Sequence, residues 1–245
     1  KLKKPLKIAI LSYRSAPFGG GQGVYVFELS KILKQLGHKV DVISGPPYPE
    51  LIPEIGLIKL PGLNLFSTFQ FKERFSLFFA KKNKSFDDWY EFTSTLLGGF
   101  PEPQTFGNRA HNYMMDKNYD VVIDNQSISY GAIKIQDTFP LIEIMHHPIS
   151  KDYFYDLKFA KGILQRLSKI RWYSFLKMQK RVAKKINTVV TPSMNSKEDI
   201  HIDFKVPIEN IHVIPNGIDC EVFCPLPQIE SLSLIHISEP TRRTP

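Results

Sequence analysis

Residues 7–38 read KIAILSYRSAPFGGGQGVYVFELSKILKQLGH, and this stretch decides the fold. It predicts a buried strand over 7–13, a glycine-rich loop over 16–23 and then an amphipathic helix that Gly37 caps. The apolar residues of that helix recur at helical spacing: Tyr25, Leu29, Leu33 and Leu36. A strand, a glycine loop and a helix in this order direct backbone N–H groups and a helix N-terminus at a ligand above the sheet. The stretch therefore predicts a site for an anionic, phosphate-bearing ligand.

Further apolar strands alternate with helical patterns along the chain, which is typical of a parallel sheet covered by helices. The predicted strands are 40–44, 58–60, 119–124, 141–145, 188–191 and 211–214. Residues 65–115 are predicted to be mostly helical, with a break at 98–101. A long helix is predicted over 161–186, and its apolar stripe is expected to cover the sheet: Ile163, Leu167, Ile170, Met178 and Val182. We therefore expect an α/β fold with a Rossmann-like parallel sheet and helices on both faces.

Composition and charge exclude several classes of protein. The 245 residues contain no apolar run near the roughly 18–20 residues that a membrane helix needs. Cys220 and Cys224 are the only cysteines, so the sequence predicts a reducing, cytoplasmic location and no disulfide framework. Residues 157–197 contain eleven Lys and Arg and no Asp or Glu, within a net charge of +8. Nucleic-acid-binding motifs are absent, so we expect the basic helix 158–185 to contact an anionic ligand or an anionic membrane surface.

Polar side chains follow four of the predicted strands. The first strand leads to the glycine loop, and others lead to 125–127, to His146 and His147, and to Asn216 with Gly217. Each group alone has a structural explanation, since Gly, Asn and Ser are common turn and capping residues. Ligands of open α/β sheets, however, lie beyond the carboxyl ends of the strands. Taken together, these groups predict a binding site at that edge.

The spacing of the glycines excludes two common nucleotide-binding motifs. Starting G-x-G-x-x-G at Gly19 places its third glycine at Val24, and starting it at Gly21 places the third at Val26. The second strand also ends without the acidic residue that holds a ribose in dinucleotide-binding proteins. A P-loop needs G-K-[ST] after its glycines, and none follows here. A nicotinamide or flavin oxidoreductase and a P-loop enzyme are thus both disfavoured.

With these motifs in this order, the chain resembles the N-terminal half of a GT-B-fold glycosyltransferase of retaining family 4. The resemblance covers about residues 5–225, and the motifs that carry it are GGGQGVYV at 19–26, LGHKV at 36–40, DNQS at 124–127, HHP at 146–148 and VIPNGID at 213–219. It implies transfer of a sugar from a nucleotide-sugar to an acceptor with retention. The implied acceptor is a glycan or a lipid-linked molecule. No metal ion or other cofactor is implied.

The resemblance also implies roles for individual residues. His146 would be the catalytic residue that hydrogen-bonds the transferred sugar. The donor phosphates and sugar would be contacted by Gly19, Gly20, Gly21, Gln22 and Asn216, with Asn216 and Asp219 at the hinge between domains. The acceptor side would be lined by Asn125, Gln126, Ser127 and His147.

The predicted domain comprises residues 1–219, followed by the start of an interdomain linker over 220–230. Residues 231–245 resemble translated sequencing-adapter sequence, and we expect this tail to be artefactual or disordered. The Arg/Lys pair and the E-x7-E motif of a donor-binding second domain do not occur, so we expect a truncated enzyme with little activity alone. The alternative is a non-catalytic domain that binds a phosphorylated ligand or serves as a scaffold.

Overall fold

A parallel sheet runs through the protein. The computed structural model describes residues 4–17, 21–68 and 70–218 together with Cys220 and Cys224. Within them the strands are β1 (Lys7–Ser12), β2 (Lys39–Ser44), β3 (Gly56–Lys59), β4 (Val121–Asn125), β5 (Leu141–Ile144), β6 (Val189–Thr191) and β7 (Ile211–Val213). Their order in the sheet is β3-β2-β1-β4-β5-β6-β7, and all neighbouring strands are parallel. Each predicted strand matches one of these within two residues at either end.

The helices of the described residues are α1 (Gly21–Gln35), α2 (Phe71–Ala80), α3 (Phe86–Leu96), α4 (Glu102–Met114), α5 (Tyr130–Gln136), α6 (Ser150–Lys158), α7 (Ile163–Trp172), α8 (Leu176–Ala183) and α9 (Met194–Phe204). Short 3₁₀ turns lie at Leu65–Ser67, Tyr173–Phe175 and Ile208–Asn210. Gly37 follows α1 with a φ of +93°, a conformation that suits glycine because it has no Cβ. The predicted cap of this helix is thus confirmed.

Helices cover both faces of the sheet because successive strand residues point in opposite directions. Ile8 and Ile10 of β1 pack in a cluster with Val26 of α1. Ala9 and Leu11 belong to the cluster on the other face, to which α4, α5, α8 and α9 contribute. Both clusters are buried, and the predicted Rossmann-like fold with helices on both faces is confirmed.

The predicted helix over 161–186 is broken into two helices, α7 and α8, by the 3₁₀ turn Tyr173–Phe175. Met178 and Val182 of α8 are buried in the core, as the apolar stripe predicts. The stripe is wrong for α7, because its apolar residues Ile163, Leu167 and Ile170 are exposed and no residue of that helix is buried. The same apolar spacing thus runs through an exposed helix and a buried one, and the sequence alone does not distinguish the two.

Helices α3 and α4 are joined by a buried carboxylate. Glu91 of α3 accepts a hydrogen bond from the backbone N–H of Leu63 at 3.0 Å and pairs with Arg109 of α4 at 2.7 Å. The Thr105 hydroxyl of α4 donates to the same carboxylate. Ser85 and Asp88 form a capping box that satisfies the first turn of α3. These contacts fix the two helices relative to each other.

The chain divides into two units, Lys1–Ile214 and Pro215–Pro245. The sheet and the helices described above all belong to the first. In the described residues we find no helix with both the length and the apolar character needed to cross a membrane.

Candidate active site

The strand order places a crevice at the carboxyl ends of β1 and β4, since the order of the strands reverses between them. A cavity of about 310 Å³ opens beside β1, with Arg14, Gly21, Gln22 and Phe100 in its lining. Helix α1 begins at Gly21, so its positive N-terminal end faces this region. A Cβ at Gly23 would collide with the carbonyl oxygen of Ala16, so this position requires glycine. The local geometry suits an anion.

His146 follows β5 at the same edge of the sheet. Its Nε2 lies 2.9 Å from Oδ1 of Asn125, which ends β4. The imidazole packs against the ring of Tyr25 of α1 in a T-shaped arrangement, with ring centroids 4.6 Å apart. The His146 carbonyl oxygen accepts a hydrogen bond from Ser196 of α9 at 3.2 Å. Asn125 and Tyr25 therefore contact the imidazole, and Ser196 holds the backbone of the same residue.

The protonation of His146 follows from this environment. Burial lowers the pKa of its imidazole, and the neighbouring His147 lowers it further. The ring is therefore neutral at neutral pH, with its proton on Nε2 when that atom donates to Asn125. Nδ1 then keeps a lone pair that can accept a hydrogen bond from a substrate hydroxyl.

The loop after β4 is strained and braces the loop after β5. Gln126 and Ile128 have φ angles of 61° and 45°, in the left-handed region that residues other than glycine rarely adopt. The Gln126 side chain accepts from the backbone N–H of His146 at 3.2 Å and donates to the carbonyl of His147 at 3.3 Å. Such strain persists only where the surrounding structure enforces it, and it concentrates at functional sites.

Two buried carboxyl groups lie beneath this loop. Asp124 of β4 and Glu143 of β5 are register partners in the sheet, and both are fully buried. Burial raises the pKa of Asp124 to about 6, although hydrogen bonds from Ser127 oppose the shift. Burial, and then the charge of Asp124, raises the pKa of Glu143 well above its usual range. Burial therefore favours the protonated form of both carboxyl groups.

Arg14 is a site residue that the sequence analysis did not identify. It follows β1, lines the cavity beside Gly21 and pairs with Glu102 at 2.8 Å. Burial raises the pKa of Glu102 to about 7, and the guanidinium opposes that shift. An arginine just after the first strand of a phosphate-binding fold is the signal that could have indicated it.

The structure brings most of the predicted site residues to one edge. Asn125 ends β4, and Gln126 and Ser127 lie in the loop that follows it. Asn125 and Gln126 contact the residues after β5, His146 and His147. Gly21 and Gln22 line the cavity beside β1. Gly19, Gly20 and Asp219 lie outside the described residues, and Asn216 belongs to the separate unit Pro215–Pro245.

Two predicted residues have contacts that the sequence did not reveal. Asn125, expected on the acceptor side, hydrogen-bonds the imidazole of His146 directly. His147 is exposed, with its Nε2 3.4 Å from the carboxylate of Asp152 in α6. Among the residues that the structure describes, no group of three or more His, Cys, Asp or Glu could hold a metal ion.

Comparisons with known proteins agree with this architecture. The chain matches the family described as Glycosyltransferase Family 4 over residues 19–222. It is 42% identical over 224 residues to the MMP alpha-(1->4)-mannosyltransferase of Mycolicibacterium hassiacum, a match that covers 90% of this chain and 54% of that protein. The chain thus spans about half the length of this curated relative.

Solved glycosyltransferase structures show the same fold. HepE of Anabaena, in complex with UDP and glucose, superposes with a TM-score of 0.52 at 14% identity, over 91% of this chain and 47% of that one. The catalytic domain of starch synthase IV from Arabidopsis thaliana gives a TM-score of 0.53 at 15% identity, over 91% and 54%.

The protein belongs to glycosyltransferase family 4. Its α/β domain corresponds to the N-terminal half of the GT-B fold. Membership of a family of transferases favours an enzyme over a non-catalytic binding domain.

Proposed function

We propose that the chain is the acceptor-side half of a retaining α-mannosyltransferase, which moves mannose from a nucleotide-sugar to an acceptor through an α-(1→4) linkage. The observation that carries the proposal is the neutral imidazole of His146, held by Asn125 and Tyr25 at the sheet edge from which α1 also begins. The 42% identity to a protein named as an α-(1→4)-mannosyltransferase supports the choice of sugar and linkage.

In this proposal, charge that develops on the departing diphosphate is stabilised by the glycine loop and the N-terminus of α1. His146 accepts a hydrogen bond at Nδ1 from a hydroxyl of the transferred sugar. Asn125 is a positioning residue, because its Oδ1 holds the proton on Nε2 and so leaves Nδ1 free to accept. Gln126 fixes the backbone from which the imidazole projects.

The chain covers 54% of its mycobacterial relative, and we propose that a donor-binding domain equivalent to the rest of that relative is needed for transfer. The 245 residues alone would then have little activity. No step of the proposed reaction uses a metal ion, so EDTA would leave the rate unchanged.

The test uses a hybrid protein in which residues 1–222 of this chain are joined to the remaining length of the relative. We expect the hybrid to transfer mannose and to lose activity only at a pH lower than that at which an exposed histidine becomes protonated, because burial lowers the pKa of His146. His146→Ala in the hybrid should lower kcat by about 10²–10³-fold, since it removes a contact to the reacting sugar.

The intact relative and the His212→Ala hybrid are the controls for this test. His212 is an exposed histidine of β7 and has no role in this mechanism. A folded hybrid without activity, measured beside an active relative, would refute the proposal. So would equal losses in the His146→Ala and His212→Ala hybrids.

We also infer that the enzyme works in the cytoplasm and binds the inner face of an anionic membrane through helices α6 and α7. These helices and the residues that join them expose large apolar side chains beside basic ones: Phe154, Phe159, Ile163, Leu164, Lys158, Lys161 and Arg166. Apolar groups on an exposed basic helix are typical of segments that lie in the membrane interface. This surface would bring the site close to a lipid-linked acceptor.

Co-sedimentation with vesicles tests this second inference. The chain should bind vesicles that contain phosphatidylglycerol more tightly than pure phosphatidylcholine, because each cation near the surface contributes about 1 kcal/mol. Leu164→Ala should weaken binding by about fivefold or more, whereas Leu36→Ala, at an exposed position just after α1, should not. Equal binding to both vesicle types, or equal effects of the two substitutions, would contradict the inference.

A further inference from the structure

The turn after β4 carries two side chains that contact His146, and Asp124 lies at its start. Asn125 contacts the imidazole at 2.9 Å, and Gln126 accepts a hydrogen bond from the backbone N–H of His146 at 3.2 Å. Because these two residues are adjacent in the chain, the position of the histidine depends on how this short turn is held. Asp124 directly precedes them and has no role in the reaction proposed above.

The carboxyl group of Asp124 closes this turn. Its Oδ2 atom accepts a hydrogen bond from the hydroxyl of Ser127, and the backbone N–H of Ser127 also stabilises the charged carboxylate. Contacts to a residue three positions along fix the path of the chain between them. On that path Gln126 has a φ of 61°, a conformation that is unfavourable for glutamine and that persists only where other contacts enforce it.

Asp124 lies on the face of the sheet opposite to Asn125, since successive strand residues point in opposite directions. Val122, two residues before Asp124, packs in the core cluster that includes α4, α5, α8 and α9, whereas Ile123 packs in the cluster with α1. The side chain of Asp124 is also 0% exposed, so it is out of reach of a substrate. Any effect of Asp124 on a reaction must therefore pass through its neighbours.

The stability of the fold does not account for a carboxyl group at this position. None of the ion pairs in the described part of the chain includes Asp124 or its register partner Glu143. Oδ1 of Asp124 and both carboxyl oxygens of Glu143 also lack a hydrogen-bond partner among the same residues. Buried carboxyl groups without a cation are costly, and an apolar side chain of similar size is often as stable or more stable there. The contacts of Asp124 to the turn are what an apolar residue would lose.

We propose that Asp124 is a positioning residue for His146, because its contacts to Ser127 hold the turn from which Asn125 and Gln126 reach the histidine. Loss of the carboxyl group lets the turn relax and weakens the hydrogen bond at Nε2, so the ring proton is no longer held there. A ring with its proton on Nδ1 cannot accept a hydrogen bond at that atom. The effect on the rate rests on the proposed function, whereas the effect on the imidazole does not depend on any reaction.

NMR of the ring nitrogens of His146 in the 245-residue chain measures the effect on the imidazole directly. At about pH 8, where histidine side chains are neutral, the shifts of the two nitrogens report which one carries the proton. The ratio of the Nε2–H to the Nδ1–H tautomer should fall by about three- to tenfold in Asp124→Ala, as expected for one weakened hydrogen bond. Asp124→Asn should keep the ratio, since its amide oxygen can still accept from Ser127.

Two further variants separate positioning from stability. Leu65→Ala is the matched control, because Leu65 is buried in a separate cluster with Phe78 and Phe92 and its truncation leaves a cavity there. It should destabilise the fold without changing the tautomer ratio. Ser127→Ala keeps the carboxyl group but removes the hydroxyl that donates to it, so it should shift the ratio in the same direction as Asp124→Ala by a smaller amount. It carries the test if Asp124→Ala does not fold.

The same substitutions in the hybrid protein measure the effect on the rate. Asp124→Ala should lower kcat by about 10–100-fold and change KM by less than about twofold, because a misplaced imidazole affects the reacting sugar more than the binding of substrates. Asp124→Asn should restore kcat to within about threefold of the unsubstituted hybrid.

An unchanged tautomer ratio in the folded Asp124→Ala or Ser127→Ala chain would overturn the proposal, as would an equal change in Leu65→Ala. Equal losses of kcat in the Asp124→Ala and Asp124→Asn hybrids would also contradict it, since the turn would then not depend on the oxygen that accepts from Ser127. The proposed function fails separately. A hybrid without activity leaves a measured change of the ratio in place, and an active hybrid with an unchanged ratio removes only the role of Asp124.

Discussion

The centre of the sheet buries polar groups that are usually exposed, whereas an outer helix exposes apolar groups that are usually buried. Strands β4 and β5 bury two carboxyl groups, Asp124 and Glu143, whereas α7 exposes Ile163 and Leu164. Buried charge and exposed apolar side chains are the two exceptions that carry information about a protein, because both are unfavourable without a partner or a purpose. The carboxyls lie beneath the loop that holds His146, and the apolar residues form the proposed membrane surface. Each exception therefore adjoins a proposed functional surface.

The contrast between exposed and buried apolar side chains is sharpest between α7 and α8. These two helices follow one another in sequence and have similar compositions. Leu176 of α8 is 5% exposed and packs in the main core, while Leu164 of α7 is 84% exposed. We expect Leu176→Ala to lower the free energy of unfolding by about 2–5 kcal/mol, because it leaves a cavity in the core. Leu164→Ala should change it by less than about 0.5 kcal/mol. Urea denaturation of both variants measures the difference.

Since the two substitutions are chemically identical, only the surroundings of the residue can separate their effects. A loss of more than about 2 kcal/mol in Leu164→Ala would mean that α7 is covered in solution. That result would remove the exposed surface on which the membrane inference depends. A small effect of Leu176→Ala would show that α8 is not part of the core.

Much of the fold could be predicted because strands buried on both faces leave a strong local signal. The apolar runs at 119–124 and 141–145, for example, could be recognised without knowledge of their neighbours. Helix α6 (Ser150–Lys158) could not, since it is short and buries only Ser150. The break between α7 and α8 was hidden as well, because it contains neither glycine nor proline and the residues around it favour helix.

The site was predictable in its location but not in its contacts. The residues after β4 and β5 could be placed at one edge from the order of the strands alone. The hydrogen bond between Asn125 and His146 depends on side chains 21 positions apart, and the left-handed conformation of Gln126 is enforced by tertiary structure.

The buried carboxyl pair predicts how stability depends on pH. In the unfolded chain, Asp and Glu titrate near pH 4, whereas burial raises the pKa of Asp124 to about 6 and that of Glu143 further above its usual value. At pH values between about 4 and the raised pKa values, the folded state binds more protons than the unfolded state. The free energy of unfolding therefore falls as the pH rises through this range. Stability from this pair is fully present below pH 4 and is lost as the pH passes through the raised pKa values.

Glu143→Gln should flatten this dependence because it removes one of the two titrating groups and the repulsion between their charges. The new amide could also donate to Oδ1 of Asp124, which has no hydrogen-bond partner among the described residues. Each unit of raised pKa corresponds to about 1.4 kcal/mol, so urea denaturation from pH 4 to pH 8 can resolve the effect. Glu50→Gln, at an exposed position, is the matched control and should keep the slope of the unsubstituted protein. If Glu143→Gln kept that slope too, the pH dependence would not come from this pair, and the proposed contribution of its raised pKa values to stability would be refuted.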